Sequence, residues 1–267
     1  MFKLKYLQIA LTFYVILILT LALFQRFILL HPTKLAKDYV YELPNSEEFY
    51  VEISSEIRLN ALRFLTKDSV SKGVVLYFHG NADNLARWGE HATEFTSRGY
   101  DVVMYDYRGF GKSNGRLDEK NFLNDAQYIF DDLGRRYNPD KIVLYGRSLG
   151  CGAAIKVASD NAVKMLILET PYYSLPDVAW SSLPIFPYKY ISEFQVPAYE
   201  WLPKVRCQTH VFHGTDDDIV PYSQSQKLIA SAKKNPREIL TTLQGGHHKG
   251  LEKFKEYQTK MDELLKL

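Results

Sequence analysis

The sequence predicts an α/β architecture, a mostly parallel central sheet with helices on both faces. Three observations carry this. From residue 73 onward, short apolar runs alternate with amphipathic stretches, and repeated strand–helix units imply parallel strands joined by crossovers. The runs are apolar at nearly every position instead of at every second one, as expected of strands covered on both faces. The 267 residues contain no internal repeat, 46% are apolar and 24% charged, so the chain is long enough to bury a large core without staples.

Taken in order, residues 7–24 hold eighteen positions without a charge, interrupted by Gln25 and Arg26 before 27–30 resume the apolar run. A helix needs about 20 largely apolar residues to cross a bilayer. A cleavable leader usually has a shorter apolar stretch of about 7–15 and a small-x-small cleavage site. Residues 1–30 are therefore expected to be an uncleaved, single-pass membrane anchor, with 31–267 as one folded domain. Lys3 and Lys5 before the span balance Arg26, Lys34 and Lys37 after it, so charge does not fix the side of the membrane.

Residues 39–53 and 57–66 alternate as a strand hairpin. The run at 73–80 (GVVLYFHG) is the first buried strand, 84–98 a helix stopped by Gly99, and 101–107 (DVVMYDY) the next strand. A long amphipathic helix is expected at 118–137, with Phe122, Ala126, Ile129, Phe130 and Leu133 on one face. Three further strands fall at 141–145, 164–168 and 209–212, with helices near 149–159 and 222–234. A last strand at 237–243 precedes a helix from about 251. Residues 175–203 break the rhythm with five of the eleven prolines, which exclude one continuous helix. Their many aromatics argue against a solvated linker, and a short cap over the sheet edge, 174–204, suits both facts.

A net charge of +2 gives no support to a nucleic-acid partner. The two cysteines, Cys151 and Cys207, read as unpaired. The seven histidines show no metal-ligand spacing, and no metal or organic cofactor is expected. Gly111-Lys112-Ser113 lacks the first glycine of a phosphate loop, because that position is Asp106.

The chemistry concentrates at Gly146-Arg147-Ser148-Leu149-Gly150, a G-x-S-x-G pattern between a buried strand and a small-residue helix. A serine on so tight a turn stands clear at the sheet's rim, and the glycines leave room for neighbouring backbone. Its hydroxyl needs a base, and the base an orienting acid. Both follow in chain order: Asp216-Asp217-Asp218 after one strand, His247-His248 after the last. Glu169, at the end of another strand, is a rival acid. His79 and His213, each preceding Gly at a strand end, read as structural, and Arg147 as a structural ion pair or a contact for an acidic substrate group.

The segments FHGNADN (78–84), DYRGFGKSNG (106–115), LYGRSLG (144–150), LETPYYSL (168–175), HGTDDDIVP (213–221) and GGHH (245–248) resemble the Bem46/ABHD13-like and ABHD17-like group of α/β-hydrolases, across residues 73–250. The resemblance implies the α/β-hydrolase fold and a serine hydrolase. It implies Ser148 as nucleophile, Asp217 as acid, and His247, the residue after the GG pair, as base. The oxyanion donors would be the Leu149 amide and the backbone N–H of Asn81. Two departures stand out. Asp83 replaces the family's usual Gly, and His248 its usual Asn.

The expected function is hydrolysis of a carboxylic ester or thioester, of a small-molecule or lipid-like acyl substrate, through an acyl-serine. The same triad serves acyltransferases and peptidases, and a non-catalytic binding scaffold is the reading from another class.

Overall fold

The computed structural model describes residues 2–266. Eight strands form one sheet: β1 (Ser46–Glu52), β2 (Arg58–Phe64), β3 (Val74–Phe78), β4 (Asp101–Tyr105), β5 (Ile142–Arg147), β6 (Met165–Glu169), β7 (Gln208–Gly214) and β8 (Leu240–Leu243). Their spatial order is β8-β7-β6-β5-β3-β4-β2-β1. The hairpin β1–β2 is antiparallel, β2 runs antiparallel to β4, and the remaining pairs are parallel. The α/β expectation holds. After β3 the chain goes to one side (β4) and then returns to the other (β5), so the loops leaving β3 and β5 diverge. Such a switch point, at the carboxyl ends of parallel strands, opens a ligand crevice.

Side chains of the central strands alternate between two cores. Leu76, Phe78, Leu144 and Leu168 pack with helices α2 (Glu119–Gly134) and α3 (Gly150–Asp160). Tyr77, Tyr145 and Ile167 face Leu85, Phe95 and Tyr257, Met261 and Leu264 on the other side. Helix α2 starts where Asp118 accepts a hydrogen bond from the Asn121 amide and buries Phe122, Ala126, Ile129, Phe130 and Leu133, the face its periodicity predicts.

The single helix expected at 84–98 is instead two α-turns, Leu85–Trp88 and Thr93–Thr96, with a 3₁₀ turn, Gly89–Ala92, between them. Gly89 lies so close to the hairpin that a Cβ there would sit 2.4 Å from Leu43 Cδ1 and 2.9 Å from Phe64 Cζ. Tight packing under the sheet therefore overrides helical continuity. The strand expected at 237–243 is shortened, because Asn235 and Pro236 start a helical turn, Pro236–Ile239, that precedes β8.

Helix α1 (Phe2–Leu29) is 28 residues long, about 42 Å at 1.5 Å per residue, and most of its large apolar side chains are exposed. Among the described residues it is the one helix long and apolar enough to cross a membrane. Its end docks on the body of the fold. The Asn81 side chain donates to Leu29 O (2.6 Å), the His31 amide donates to Asn81 O (2.9 Å), and His31–Pro32 pairs in parallel with Ala82–Asp83. The proline-rich connection between β6 and β7 contains α4 (Leu175–Ser182) and two single turns, Tyr188–Ile191 and Ala198–Trp201. It meets α1 through an Arg26–Glu193 ion pair and a hydrogen bond from Tyr14 to Ile185 O (2.6 Å). Among the described residues, two further helices longer than a single turn are α5 (Ser223–Ser231) and α6 (Lys255–Lys266).

Candidate active site

Three strand ends converge. Strand β5 runs into Ser148, whose backbone takes the left-handed conformation, φ +51°. Few non-glycine residues sit there outside functional sites. The strain is held from both sides. The Ser148 amide donates to Glu169 O (2.9 Å), and Ser148 O accepts from the Cys151 amide (2.9 Å). The flanking glycines have no substitute: a Cβ on Gly150 would lie 2.1 Å from Phe78 O, and one on Gly146 would lie 2.7 Å from Cys151 Cα. The register Phe78↔Gly146 sets the loop after β3 directly beside the elbow.

Ser148, His248 and Asp217 form a continuous hydrogen-bonded line. Ser148 Oγ is 3.0 Å from His248 Nε2, and His248 Nδ1 is 2.8 Å from Asp217 Oδ2. Asp217 Oδ1 accepts from the amides of Ile219 (2.9 Å) and Val220 (2.8 Å). Burial alone would raise the Asp217 carboxyl. Hydrogen bonds from His213 and His248 outweigh that and hold it well below the usual carboxylate range. An ionised carboxylate only accepts, so Nδ1 of His248 donates and Nε2 is left to accept the Ser148 hydroxyl proton.

Of the expected set, Ser148 and Asp217 thus meet, and His247 does not. The imidazole in the line is His248, which is buried, while His247 is exposed. Its placement follows from how the last loop is tied. The Thr215 amide donates to Leu243 O (3.0 Å) and the Asp216 amide to Gly246 O (2.9 Å), and Gly214 packs so close that a Cβ would be 2.1 Å from Gly246 O. This clamps the glycine pair beside the acid loop. The first residue after it faces solvent, and the second turns inward to Asp217. Two adjacent histidines look alike in sequence, and only this packing separates them.

The rivals for the acid are elsewhere. Asp216 accepts from Thr215, and Glu169 is buried in an ion pair with Arg147 (3.1 Å) beneath the elbow. Arg147 thus has an ion-pair partner and a place near the Trp88 ring, and it also lines the cleft over Ser148. His79 is fully buried, and burial pushes it down to about 4, so it is neutral. His213 contacts Ser225 Oγ (2.5 Å), Val220 O (2.8 Å) and Asp217 (3.2 Å), a brace on the acid's far side. Sequence reasoning read both as structural but missed His213 as the acid's second partner. Asp83 adopts the left-handed backbone, φ +63°, where the resembled family has Gly, and its carboxylate is taken by Arg87 and Thr33.

A cleft of about 320 Å³ opens over Ser148 and His248, bordered by Gly80, Asn81, Trp88 and Ile28. The Asn81 side chain is turned away to Leu29, so what this residue offers the cleft is its backbone. The amide of Leu149 lies at the entrance to α3, where helix-terminal N–H groups favour developing negative charge. Cys151 is buried against Gly146 O and Glu169 O, and both cysteines are unpaired. A larger cavity of about 630 Å³ beside Tyr173, Asp177 and Tyr199 does not touch Ser148.

A strained serine at a strand–helix elbow, lined up with a histidine and an aspartate on this sheet, defines a serine hydrolase of the α/β type. Comparison with known proteins agrees. Residues 69–202 match the family described as serine aminopeptidase, S33, and the chain belongs to that family of α/β-hydrolases. An uncharacterised protein of Mycobacterium tuberculosis is 30% identical over 200 residues, covering 74% of this chain and 71% of its own length. The lysophosphatidylserine lipase ABHD12 of Gallus gallus is 29% identical over 197 residues, 63% of this chain but only half of that longer protein. Among solved structures, the esterase Pf2001 of Pyrococcus furiosus superposes with a TM-score of 0.67 at 22% identity, covering 89% of this chain and 97% of that one, a likeness of fold. Family and site geometry agree on a serine hydrolase.

Proposed function

We propose that this protein is a membrane-anchored lipase or esterase that cleaves a carboxylic ester, or thioester, of a lipid-like acyl substrate, with Ser148, His248 and Asp217 as its triad. The observation that carries the reading is the unbroken line from Asp217 through His248 to Ser148 Oγ. His248 Nε2 takes the hydroxyl proton as Oγ bonds to the substrate carbonyl carbon. The C–O or C–S bond to the leaving group then breaks, and the same proton passes to that group. Water, deprotonated by His248, attacks the acyl-serine, releasing the acid and returning the proton to Oγ. Asp217 stays ionised throughout and stabilises the imidazolium. The amides of Asn81 and Leu149 are the donors to the tetrahedral oxyanion, each such donor being worth about 10²–10³ in kcat.

Lipid-like substrates are favoured by the exposed apolar α1 docked at the cleft and by the name of the ABHD12 relatives, lysophosphatidylserine lipase. Position 28 of that helix borders the cleft itself. The test is hydrolysis of p-nitrophenyl esters by detergent-solubilised full-length protein. Ser148→Ala is expected to lower kcat by about 10⁶, as in comparable triads. Undiminished activity in that variant would remove the assignment.

A further inference from the structure

We infer that the apolar cavity between helix α1 and the proline-rich connection is the acyl-chain site of this enzyme, filled sideways from the bilayer. The inference rests on the lipase reading above and names where its substrate's chain goes. The cavity holds about 180 Å³ and is walled by Leu21, Ala22 and Ile28 of α1 and by Val178, Ala179 and Phe194 opposite. Of its twelve lining residues only Gln25, Tyr188 and Ser192 carry a polar side-chain group, and Gln25 is spent on protein. The Gln25 amide donates to Ala22 O (2.8 Å) and Ile191 O (3.1 Å), and its oxygen accepts from the Glu193 amide (2.7 Å). The walls are therefore mostly apolar and suit a hydrocarbon chain.

Two observations select an acyl chain as the occupant. Ile28 belongs to both this cavity and the Ser148 cleft, so a chain lying in the first brings its carbonyl toward the second. The other is depth. The connection does not stop at the carboxyl end of α1 but climbs it. Tyr14 donates to Ile185 O (2.6 Å) and stacks on Phe186 at 5.9 Å, fifteen residues, or about 22 Å, above Leu29. Residues 178–188 carry no charge, and Trp180, Leu183 and Ile185 are exposed there. A span with α1 in the bilayer places this edge at hydrocarbon depth, where a lipid tail reaches the cavity without crossing water.

The experiment uses the full-length protein in nanodiscs, with p-nitrophenyl butyrate and p-nitrophenyl palmitate as probes. Ala179→Trp and, separately, Ala22→Trp fill the cavity from opposite walls. Labelling of Ser148 by a small fluorophosphonate reports a folded, working triad in each. The expected result is that kcat/KM for palmitate falls at least tenfold more than for butyrate in a variant that still labels. Equal loss on both esters, or no loss on palmitate, in labelled variants overturns the site. Should neither variant label, Val178→Phe, a milder filling, is read by the same ratio. Failure of the underlying reading looks different: wild-type protein that hydrolyses neither ester and takes no label.

Discussion

The elbow at Gly146–Gly150 and the loop at Gly245–His248 are both glycine-rich turns that present a side chain at the rim of the same sheet, yet they are specified in opposite ways. In the elbow, Ser148 is fixed by its own strained turn and by the two strands that flank it, through Glu169 O and Phe78 O. The strained φ of +51°, the helix that starts at Gly150 and the 2.1 Å approach to Phe78 O leave one solution. In the histidine loop, local constraint is weak. Gly245 has a positive φ of +71° but open space around it, and the loop's position is set by Gly214, Thr215 and Asp216 some thirty residues earlier. Steric specification is readable from a pentapeptide. Specification by long-range packing is not.

Substitutions at the two turns should separate these modes. The largest effect sits where both loops meet. Asp217→Asn is expected to lower kcat by about 10⁴, because Asn can hold the wrong imidazole tautomer. It should also flatten the acid limb of stability. The folded carboxyl titrates below its ordinary value of about 3.9, so its contribution is present above that pH and is lost as pH falls toward the folded value. The melting temperatures of wild type and Asp217→Asn should therefore differ most near neutrality and converge below about pH 4. A constant difference would contradict the pairing.

Gly150→Ala comes next. With backbone oxygen at 2.1 Å, the elbow must shift, and we expect destabilisation of about 3 kcal/mol or more with loss of fluorophosphonate labelling, measured by denaturant melts and gel fluorescence. Gly245→Ala is the smallest. Its Cβ meets nothing, so only left-handed strain remains, about 1–2 kcal/mol, and labelling should persist. If Gly245→Ala proved as damaging as Gly150→Ala, the contrast between the turns would fail.

The same contrast explains what was legible in the sequence. Strands such as VVLYF are apolar at every position because both faces are covered, and that pattern announces itself. The long helix α2 is equally plain from its one apolar stripe. The 84–98 segment looked like one helix because nothing local reveals that Gly89 packs against Leu43, just before the hairpin, and Phe64 within it. Motif and spacing pointed to Ser148 and Asp217, which the structure sets in one hydrogen-bonded line. The imidazole in that line is one position past the expected His247, since the choice between His247 and His248 belongs to the Gly214–Gly246 contact and not to either residue's own neighbours. The docking of Leu29 and His31 onto Asn81 was beyond reach for the same reason.

The central claim is that Ser148 is activated by His248. Fluorophosphonate labelling rates of His248→Ala and His247→Ala, measured side by side on full-length protein, test it most directly. The account predicts that labelling falls by more than about 10³ in His248→Ala, as for loss of a triad base. In His247→Ala, where only an exposed side chain is lost, labelling should stay within about twofold of wild type. The reverse pattern would contradict it.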